Sequence, residues 1–186
     1  MNLRLSGGRR LQSPAGSIAR PTPSRVRLAV MNMLAFELPG SRWLDLFCGS
    51  GVMGCEALHH GAAAVIAVDQ NRAMTSTARS NLELVAAGLP ATPPVQVITQ
   101  EVVRWLQQGR PAGMEAFRLI YADPPYAAGL YDAVAEAVAQ GGWLSEEGTL
   151  LLECSSTAVP AIKGNGWELI KQKRYGSSTV LLLRPT

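Results

Sequence analysis

The chain has 186 residues, of which 47% are hydrophobic and 17% are charged, and this composition is typical of a folded globular protein rather than a disordered one. No apolar run approaches the roughly 18 residues of a membrane span, and the arginine-containing N-terminus lacks the apolar segment of a secretory signal. Three cysteines are too few and too scattered to predict a disulfide framework or a zinc site, so we expect a reducing cytoplasm.

Charge is unevenly distributed along the chain. Residues 1–42 hold seven arginines and a single acid, Glu37, whereas the remaining residues hold ten Lys or Arg and thirteen Asp or Glu. A basic N-terminal segment on a mildly acidic body predicts a polyanionic partner. A solvated, flexible tail would have the same composition, so charge alone leaves both interpretations open.

The first 40 residues are predicted to form a basic arm and one helix. Residues 1–21 are rich in Gly, Ser, Arg and Pro, which is typical of a short hairpin or an irregular arm. Thr22 is a suitable N-cap and Pro23 a suitable first helical residue, and apolar residues recur on one face as far as Leu34. The Pro-Gly pair at 39–40 is expected to end this helix.

Residues 41–186 alternate between strand-like and helix-like segments. Strands are predicted at 43–47, 64–69, 95–98, 118–123 and 149–154, helices at 51–60, 71–87, 101–108 and 130–140, and a terminal β-hairpin at 167–175 and 178–184. Apolar strands that alternate with helices predict a parallel sheet covered on both faces, and the hairpin requires an antiparallel edge strand. The expected fold is a Rossmann-like, doubly wound α/β domain of residues 41–186, preceded by the arm and helix of residues 1–40.

A glycine-rich stretch, D-L-F-C-G-S-G-V-M-G at 45–54, follows the first predicted strand and opens a helix. Gly49, Gly51 and Gly54 match G-x-G-x-x-G, and Asp69 follows at the end of the second strand. Such glycines let a ligand approach the backbone, and the later carboxylate accepts hydrogen bonds from ribose hydroxyls. The stretch therefore predicts a nucleoside-containing cofactor.

The glycines do not distinguish a dinucleotide from S-adenosylmethionine. Asp45 favours S-adenosylmethionine, because a carboxylate at this strand end would attract a cationic ammonium group and repel a pyrophosphate. The alternative is a strand-end carboxylate that accepts hydrogen bonds from nearby backbone N–H groups. Gln100 or Glu101, after the third strand, could bind the adenine amine, or could simply begin the next helix.

The stretch D-P-P-Y ends the fourth predicted strand, at the edge where doubly wound sheets bind ligands. Two prolines fix φ near −65° and donate no backbone hydrogen bond, which leaves the carbonyls of Asp123 and Pro124 free for an outside donor. Tyr126 offers a flat ring for stacking. Together these groups suit a planar base with an exocyclic NH₂, whereas a tight turn with a buried tyrosine is the structural alternative.

These features together resemble the S-adenosylmethionine-dependent amino-methyltransferases and, more narrowly, the RsmD family of ribosomal RNA guanine-N2 methyltransferases. The resemblance covers nearly the whole chain, and R-P-T-x-x-R-V-R is its most discriminating part. The segments that carry it are G-G-R-R-L (7–11), P-x-G (14–16), R-P-T-P-S-R-V-R (20–27), L-D-L-F-C-G-S-G-V-M-G-C-E-A-L (44–58), Y-A-D-P-P-Y (121–126) and R-Y-G-S-S-T (174–179).

The resemblance implies methyl transfer from S-adenosylmethionine to the N2 of a guanine in small-subunit (16S) ribosomal RNA, either naked or in an assembling ribonucleoprotein. It also implies a methyltransferase sheet and a cytoplasmic enzyme without a metal, and nothing in the pattern demands a dimer. The implied catalytic residues are Asp123, Pro124 and Tyr126. The implied cofactor residues are Asp45, Phe47, Gly49, Ser50, Gly51, Asp69, Gln70, Gln100, Glu101 and Asp123. The implied RNA-binding residues are Arg9, Arg10, Arg20, Thr22, Arg25 and Arg27.

Three other interpretations use some of the same features. A DNA adenine-N6 or protein glutamine methyltransferase would use both predicted sites, but neither accounts for a short arginine-rich N-terminus. An NAD-linked reductase accounts for the glycines but not for D-P-P-Y. A non-catalytic RNA-binding assembly factor accounts for the arginines alone.

Overall fold

A computed structural model describes residues 3–13, 22–125, 129–162 and 166–186. The predicted site residues Arg20 and Tyr126 lie outside these ranges. The helices are α1 (Ser24–Met33), α2 (Val52–His59), α3 (Arg72–Ala87), α4 (Val102–Leu106) and α5 (Tyr131–Gln140). The strands are β1 (Arg42–Leu46), β2 (Ala64–Asp69), β3 (Val95–Thr99), β4 (Phe117–Ala122), β5 (Leu144–Ser155), β6 (Trp167–Tyr175) and β7 (Ser178–Pro185).

The strands form one seven-stranded sheet in the order β3-β2-β1-β4-β5-β7-β6. Strands β1 to β5 are parallel, and β7 pairs antiparallel with both β5 and β6. The chain order reverses between β1 and β4, which is the switch point where doubly wound sheets bind ligands beyond the strand ends. The predicted doubly wound fold is therefore confirmed. The reversed strand, β7, lies inside the sheet rather than at its edge.

Helices cover both faces of the sheet, as strands with apolar residues on both faces require. Helices α1, α2 and α3 pack on one face together with leucines of the N-terminal hairpin, and α4 and α5 pack on the other. Trp143 anchors the second face: its ring centroid lies 4.3 Å from that of Trp105, and its indole N–H donates to the Leu106 carbonyl at 2.9 Å. Burial of each such side chain stabilises the fold by about 1.5–3 kcal/mol.

Several boundaries differ from the predictions. Helix α1 begins at Ser24 without a side-chain cap, so Thr22 is not the N-cap, and it ends at Met33 rather than near residue 39. Strand β5 begins at Leu144, because it pairs with β4 from Phe117 onward across a register irregularity. Helix α4 is shorter than predicted, whereas the cap of α3 is confirmed.

The N-terminal residues form the short hairpin that the sequence allowed. Arg4 and Arg10 pair as an antiparallel bridge, and Leu11 N–H donates to the Leu3 carbonyl at 2.9 Å. The hairpin leucines are buried in the same core as α1, α2 and α3. The described part of the arm is therefore packed against the domain.

A buried ion pair joins this hairpin to α1 and α2. Arg27 on α1 is only 5% exposed, and its Nε lies 3.3 Å from Oε1 of Glu56 on α2. Its guanidinium also donates to the carbonyls of Thr22 and Arg4, at 2.9 and 2.6 Å. Ser6 completes the network, since its N–H and hydroxyl donate to the two Glu56 oxygens at 3.0 and 2.7 Å. A buried charge pair is tolerated when its remaining hydrogen-bonding groups are satisfied in this way.

Replacing Arg27 with Ala is expected to lower the free energy of unfolding by about 3–5 kcal/mol, because it leaves the Glu56 carboxylate buried without its charge partner. Chemical denaturation followed by circular dichroism measures this change. Arg25→Ala, an exposed change two residues earlier, is the control and should alter stability by no more than about 0.5 kcal/mol. Equal effects of the two changes would show that the pair does not hold the hairpin in place.

Candidate active site

Four strand ends meet at the carboxyl edge of the sheet. The last residue of β1, Leu46, pairs with Val68 on one side and Ala122 on the other, and Ala122 pairs with Leu152. The residues that follow these positions therefore come together, although they are far apart in sequence. They are Phe47, Asp69, Asp123 and Glu153.

The glycine-rich loop turns sharply between β1 and α2. Gly49 and Gly51 have φ values of +52° and +75°, a region that glycine adopts without strain. A Cβ on Gly51 would also lie 3.0 Å from the Cβ of Ala78 on α3. Phe47 has a φ of +57°, and a non-glycine residue in this conformation stores strain of the kind found at functional sites. Ser50, in the same loop, is buried, and its carbonyl accepts from the Asn81 side chain.

Asp69 lies at the end of β2 with both carboxylate oxygens directed to the backbone of the site. Oδ2 accepts from Gly49 N–H at 3.0 Å, and Oδ1 accepts from Asn71 N–H at 2.8 Å. Each carboxylate oxygen can accept more than one hydrogen bond, so Asp69 keeps capacity for ribose hydroxyls. Asp69 thus positions the glycine loop at the edge where the predicted ligand would bind.

Asp45 is 1% exposed, and its Oδ2 accepts from Gly54 N–H at 2.9 Å. This is the backbone-satisfied arrangement that the sequence left open as an alternative. Burial raises the pKa of Asp45 well above its usual value, and the Asp69 and Asp123 carboxylates raise it further against the Gly54 hydrogen bond. The contact to Gly54 shows that Asp45 fixes the start of α2.

Gln100 and Glu101, the residues predicted to bind adenine, have different local contacts. Glu101 caps α4, since its side chain accepts from Val103 and Arg104 N–H at 3.0 and 2.7 Å. Gln100 follows β3, and its backbone N–H donates to the Asp69 carbonyl at 3.0 Å. The residue is partly buried. Gln70 is exposed at the end of β2.

Asp123 follows the last residue of β4, and Pro124 after it is buried. Within the described ranges no hydrogen-bond donor contacts the Asp123 carboxylate, in contrast to Asp45 and Asp69. Burial, together with repulsion from Glu153, raises the pKa of Asp123 to about 8. Among the described residues, the acceptor capacity of Asp123 is therefore not taken up, which suits a ligand with N–H donors.

Glu153 is a site residue that the sequence reasoning missed. It is 1% exposed on β5, and it accepts hydrogen bonds from the Tyr121 hydroxyl and the Ser178 side chain. Burial raises its pKa, and those two hydrogen bonds oppose the rise. An acid inside the apolar strand T-L-L-L-E-C was an available signal, of the same kind as Asp45 in the first strand.

The carboxyl edge is strongly acidic. Asp45, Asp69, Asp123 and Glu153 gather there, and none of the ion pairs formed by the described residues includes any of them. Neighbouring carboxylates disfavour each other's ionisation, and a cation bound among them would relieve the repulsion. The arrangement suits a cationic ligand with a ribose, and it opposes a pyrophosphate. The residues present therefore fit S-adenosylmethionine better than a dinucleotide.

The predicted RNA-binding residues separate into different groups. Arg27 is buried against Glu56, and Thr22 is also buried, so neither residue is exposed to a phosphate in this structure. Arg9 is exposed, but its Nη1 donates to the Leu84 carbonyl of α3 at 3.0 Å. Arg10 and Arg25 are exposed.

Within the described ranges, neither a membrane-spanning helix nor a metal-binding cluster is present. No helix there is long and apolar enough to cross a membrane. No group of three or more His, Cys, Asp or Glu residues there has the proximity needed to hold a metal ion.

Comparisons with known proteins agree with this geometry. Residues 5–184 match the family model described as Conserved hypothetical protein 95. The chain is 30% identical over 171 residues to Ribosomal RNA small subunit methyltransferase D of Escherichia coli, covering 91% of this chain and 81% of that protein. It is 35% identical over 180 residues to YlbH of Bacillus subtilis, whose name provisionally assigns it to the rRNA methyltransferases, covering 95% of this chain and 94% of that one.

The fold of this chain also agrees with that of a solved structure. The yhhF protein of Escherichia coli, provisionally described as a methyltransferase, superposes with a TM-score of 0.81 and is 29% identical, covering 100% of this chain and 98% of that chain. The family model matches nearly every residue of the chain. The acidic carboxyl edge and the Asp-Pro-Pro turn agree with that match. This chain belongs to the RsmD family of ribosomal RNA methyltransferases.

Proposed function

We propose that this protein transfers a methyl group from S-adenosylmethionine to the exocyclic N2 of a guanine in small-subunit (16S) ribosomal RNA. The observation that carries the proposal is the position of Asp123 and its two prolines at the carboxyl end of β4, beside the glycine loop and three further carboxyl groups. The name of the Escherichia coli relative supports small-subunit rRNA as the substrate. A cytoplasmic location follows from such a substrate.

The cofactor is held at the acidic edge between β1 and β4. Asp69 binds the ribose hydroxyls, the loop from Phe47 to Gly51 supplies close backbone contact, and Gln100 lies beside the adenine. Gln70, Ser50 and Glu101 complete the wall of this site, and Asp45 acts through the start of α2 and its negative charge. When bound, S-adenosylmethionine supplies a methyl carbon made electrophilic by a sulfonium, which keeps the electron pair of the bond that breaks.

The Asp-Pro-Pro turn positions the target amine. The two N–H groups of the guanine amine donate to the Asp123 carboxylate and the Pro124 carbonyl, which directs the nitrogen lone pair at the methyl carbon. Positive charge develops on nitrogen as the N–C bond forms, and the carboxylate stabilises that charge. Asp123 then accepts the proton that the nitrogen releases. Tyr126 stacks on the guanine, which has left its own stack to reach the site.

Glu153 adds to the effect of burial in raising the pKa of Asp123. It is held by Tyr121 and Ser178, whose hydroxyls fix the carboxylate on β5 next to the strand that carries Asp123. The Tyr121 hydroxyl remains a donor, because burial first and Glu153 second raise its pKa well above the usual value. Repulsion between the two carboxylates makes Asp123 more basic, which suits a group that must take a proton.

Asp123→Ala is expected to reduce turnover by a factor of about 10²–10³, because it removes the charge that stabilises the reacting nitrogen. Cofactor affinity, measured by isothermal titration calorimetry, should fall far less than turnover, because Asp69 and the glycine loop still bind the cofactor. Asp123→Asn is the matched control, since it keeps an acceptor oxygen but not the charge, and it should retain an intermediate rate. Radiolabelled methyl incorporation into 16S rRNA measures both. Wild-type turnover in Asp123→Ala would contradict the mechanism.

The pH dependence tests the role of Glu153. The ionised form of Asp123 is the active one, so kcat/KM should rise as pH increases through the pKa of about 8 that burial and Glu153 impose. Glu153→Gln removes the repulsion while keeping a hydrogen-bonding side chain, so the acid limb of the profile should move to lower pH. Glu147→Gln, on the exposed opposite end of β5, is the control. An unmoved acid limb in Glu153→Gln would show that Glu153 serves only structure.

A further inference from the structure

The turn between β6 and β7 lies at the same edge of the sheet as the proposed catalytic residues. Ser178, the first residue of β7, pairs with Ser155 on β5 and with Tyr175 on β6. Ser155 is two residues beyond Glu153, or about 7 Å along the strand. The Ser178 side chain also hydrogen-bonds to Glu153. The turn residues, Gly176 and Ser177, therefore rise beside the site.

Two arginines converge on this turn from distant parts of the chain. Arg174 Nε donates to the Gly176 carbonyl at 3.1 Å. The guanidinium of Arg25, near the start of α1, lies against the same glycine, and a Cβ added there would be 2.5 Å from its Nη2. Two cations beside one turn raise the positive potential there, and a positive surface potential attracts anions. The convergence therefore favours an anionic ligand.

Two lysines extend the positive charge along the edge strand. Lys171 and Lys173 pair with Leu182 and Val180, whose side chains face the core on the α1 side of the sheet. Cross-strand partners share a face, so both lysines lie on the face that also carries Arg25, whereas Arg174 pairs with Thr179 on the opposite face and reaches the turn through its hydrogen bond to Gly176. Tyr175 at the end of β6 confirms the proximity of α1, since its hydroxyl contacts the Met33 sulfur at 3.5 Å.

Within the described part of the chain, no ion pair neutralises the charge of these residues. We call Arg25, Lys171, Lys173 and Arg174 the hairpin patch; all four are exposed. Residues 169–186 contain no Asp or Glu, and no ion pair among the described residues includes a member of the patch. At the opposite edge of the sheet, Arg118 and Arg184 are both paired with Glu37. The two edges therefore differ in whether their arginines are compensated.

We propose that the hairpin patch binds phosphates of the single-stranded RNA segment that flanks the target guanosine. This inference rests on the proposed function, and it adds the C-terminal hairpin to a binding surface that the sequence placed in the N-terminal arm alone. Extrusion of the target base brings its neighbouring phosphates to the rim of the site, where Arg25 and Arg174 lie. Lys171 and Lys173, on the exposed edge strand β6, contact the next phosphates along the RNA backbone.

The test compares two double substitutions that remove the same charge from opposite edges of the sheet. Lys173→Gln with Arg174→Gln alters the patch, and Arg118→Gln with Arg184→Gln is the control. Fluorescence anisotropy with a naked 16S rRNA fragment is expected to show roughly tenfold weaker binding for the patch variant. The slope of log K against log salt should be shallower by about 1.4, the value for two lost single-strand phosphate contacts. The control should bind like the wild-type protein.

Each result either supports or overturns the inference. A patch variant that binds RNA like the control, or a control that weakens equally, overturns the inference. A wild-type protein that binds the RNA but methylates none overturns the proposed function instead, whereas the patch result still stands by itself. Charge reversal, Lys173→Glu with Arg174→Glu, should weaken binding further, with the unfolding midpoint and cofactor affinity unchanged. If only binding of a ribosomal protein weakens, the patch binds protein and the inference fails.

Discussion

The crowding of four carboxyl groups at one edge of the sheet is the constraint on which the site depends. Parallel strands place their carboxyl ends side by side, and here those ends carry Asp45, Asp69, Asp123 and Glu153. Three of the four are held by donors from the chain itself: Gly54 for Asp45, Gly49 and Asn71 for Asp69, and Tyr121 and Ser178 for Glu153. Within the described residues Asp123 alone lacks such a donor. The described residues thus satisfy the three supporting acids and do not take up the acceptor capacity of Asp123.

Backbone geometry and electrostatics in this site support each other. The left-handed glycines bring the loop N–H groups round to Asp69, and the strained Phe47 begins that turn directly after β1. The same burial that orders these groups removes water, so the carboxyl groups repel one another and Asp123 becomes more basic. In the proposed mechanism, a cationic cofactor and a nitrogen that gains positive charge would both reduce this repulsion.

The arginines of the N-terminal segment have separate physical roles. Arg27 is an internal cation that joins the hairpin, α1 and α2 through Glu56, and its value lies in packing and charge compensation. Arg9 is tied to the last turn of α3, where a cation interacts favourably with the helix dipole. Arg25, two residues from Arg27 in sequence, points instead to the β6–β7 turn. A single basic segment therefore contributes both to stability and to a charged surface beside the site.

Local patterns were enough to predict the strand and helix order, the glycine loop, the cap at Asn71 and the acid at the end of β4, because each depends on neighbours in the chain. Residue type alone could not separate Arg25 from Arg27, since their burial depends on α2 and on the N-terminal hairpin. Nor could it place β7 between β5 and β6, which is what brings Ser178 to Glu153 and the hairpin patch to the carboxyl edge. The sequence by itself determined the fold class and the kind of chemistry. Tertiary structure decided which charges are buried, because burial and pairing are set by segments far apart in the chain.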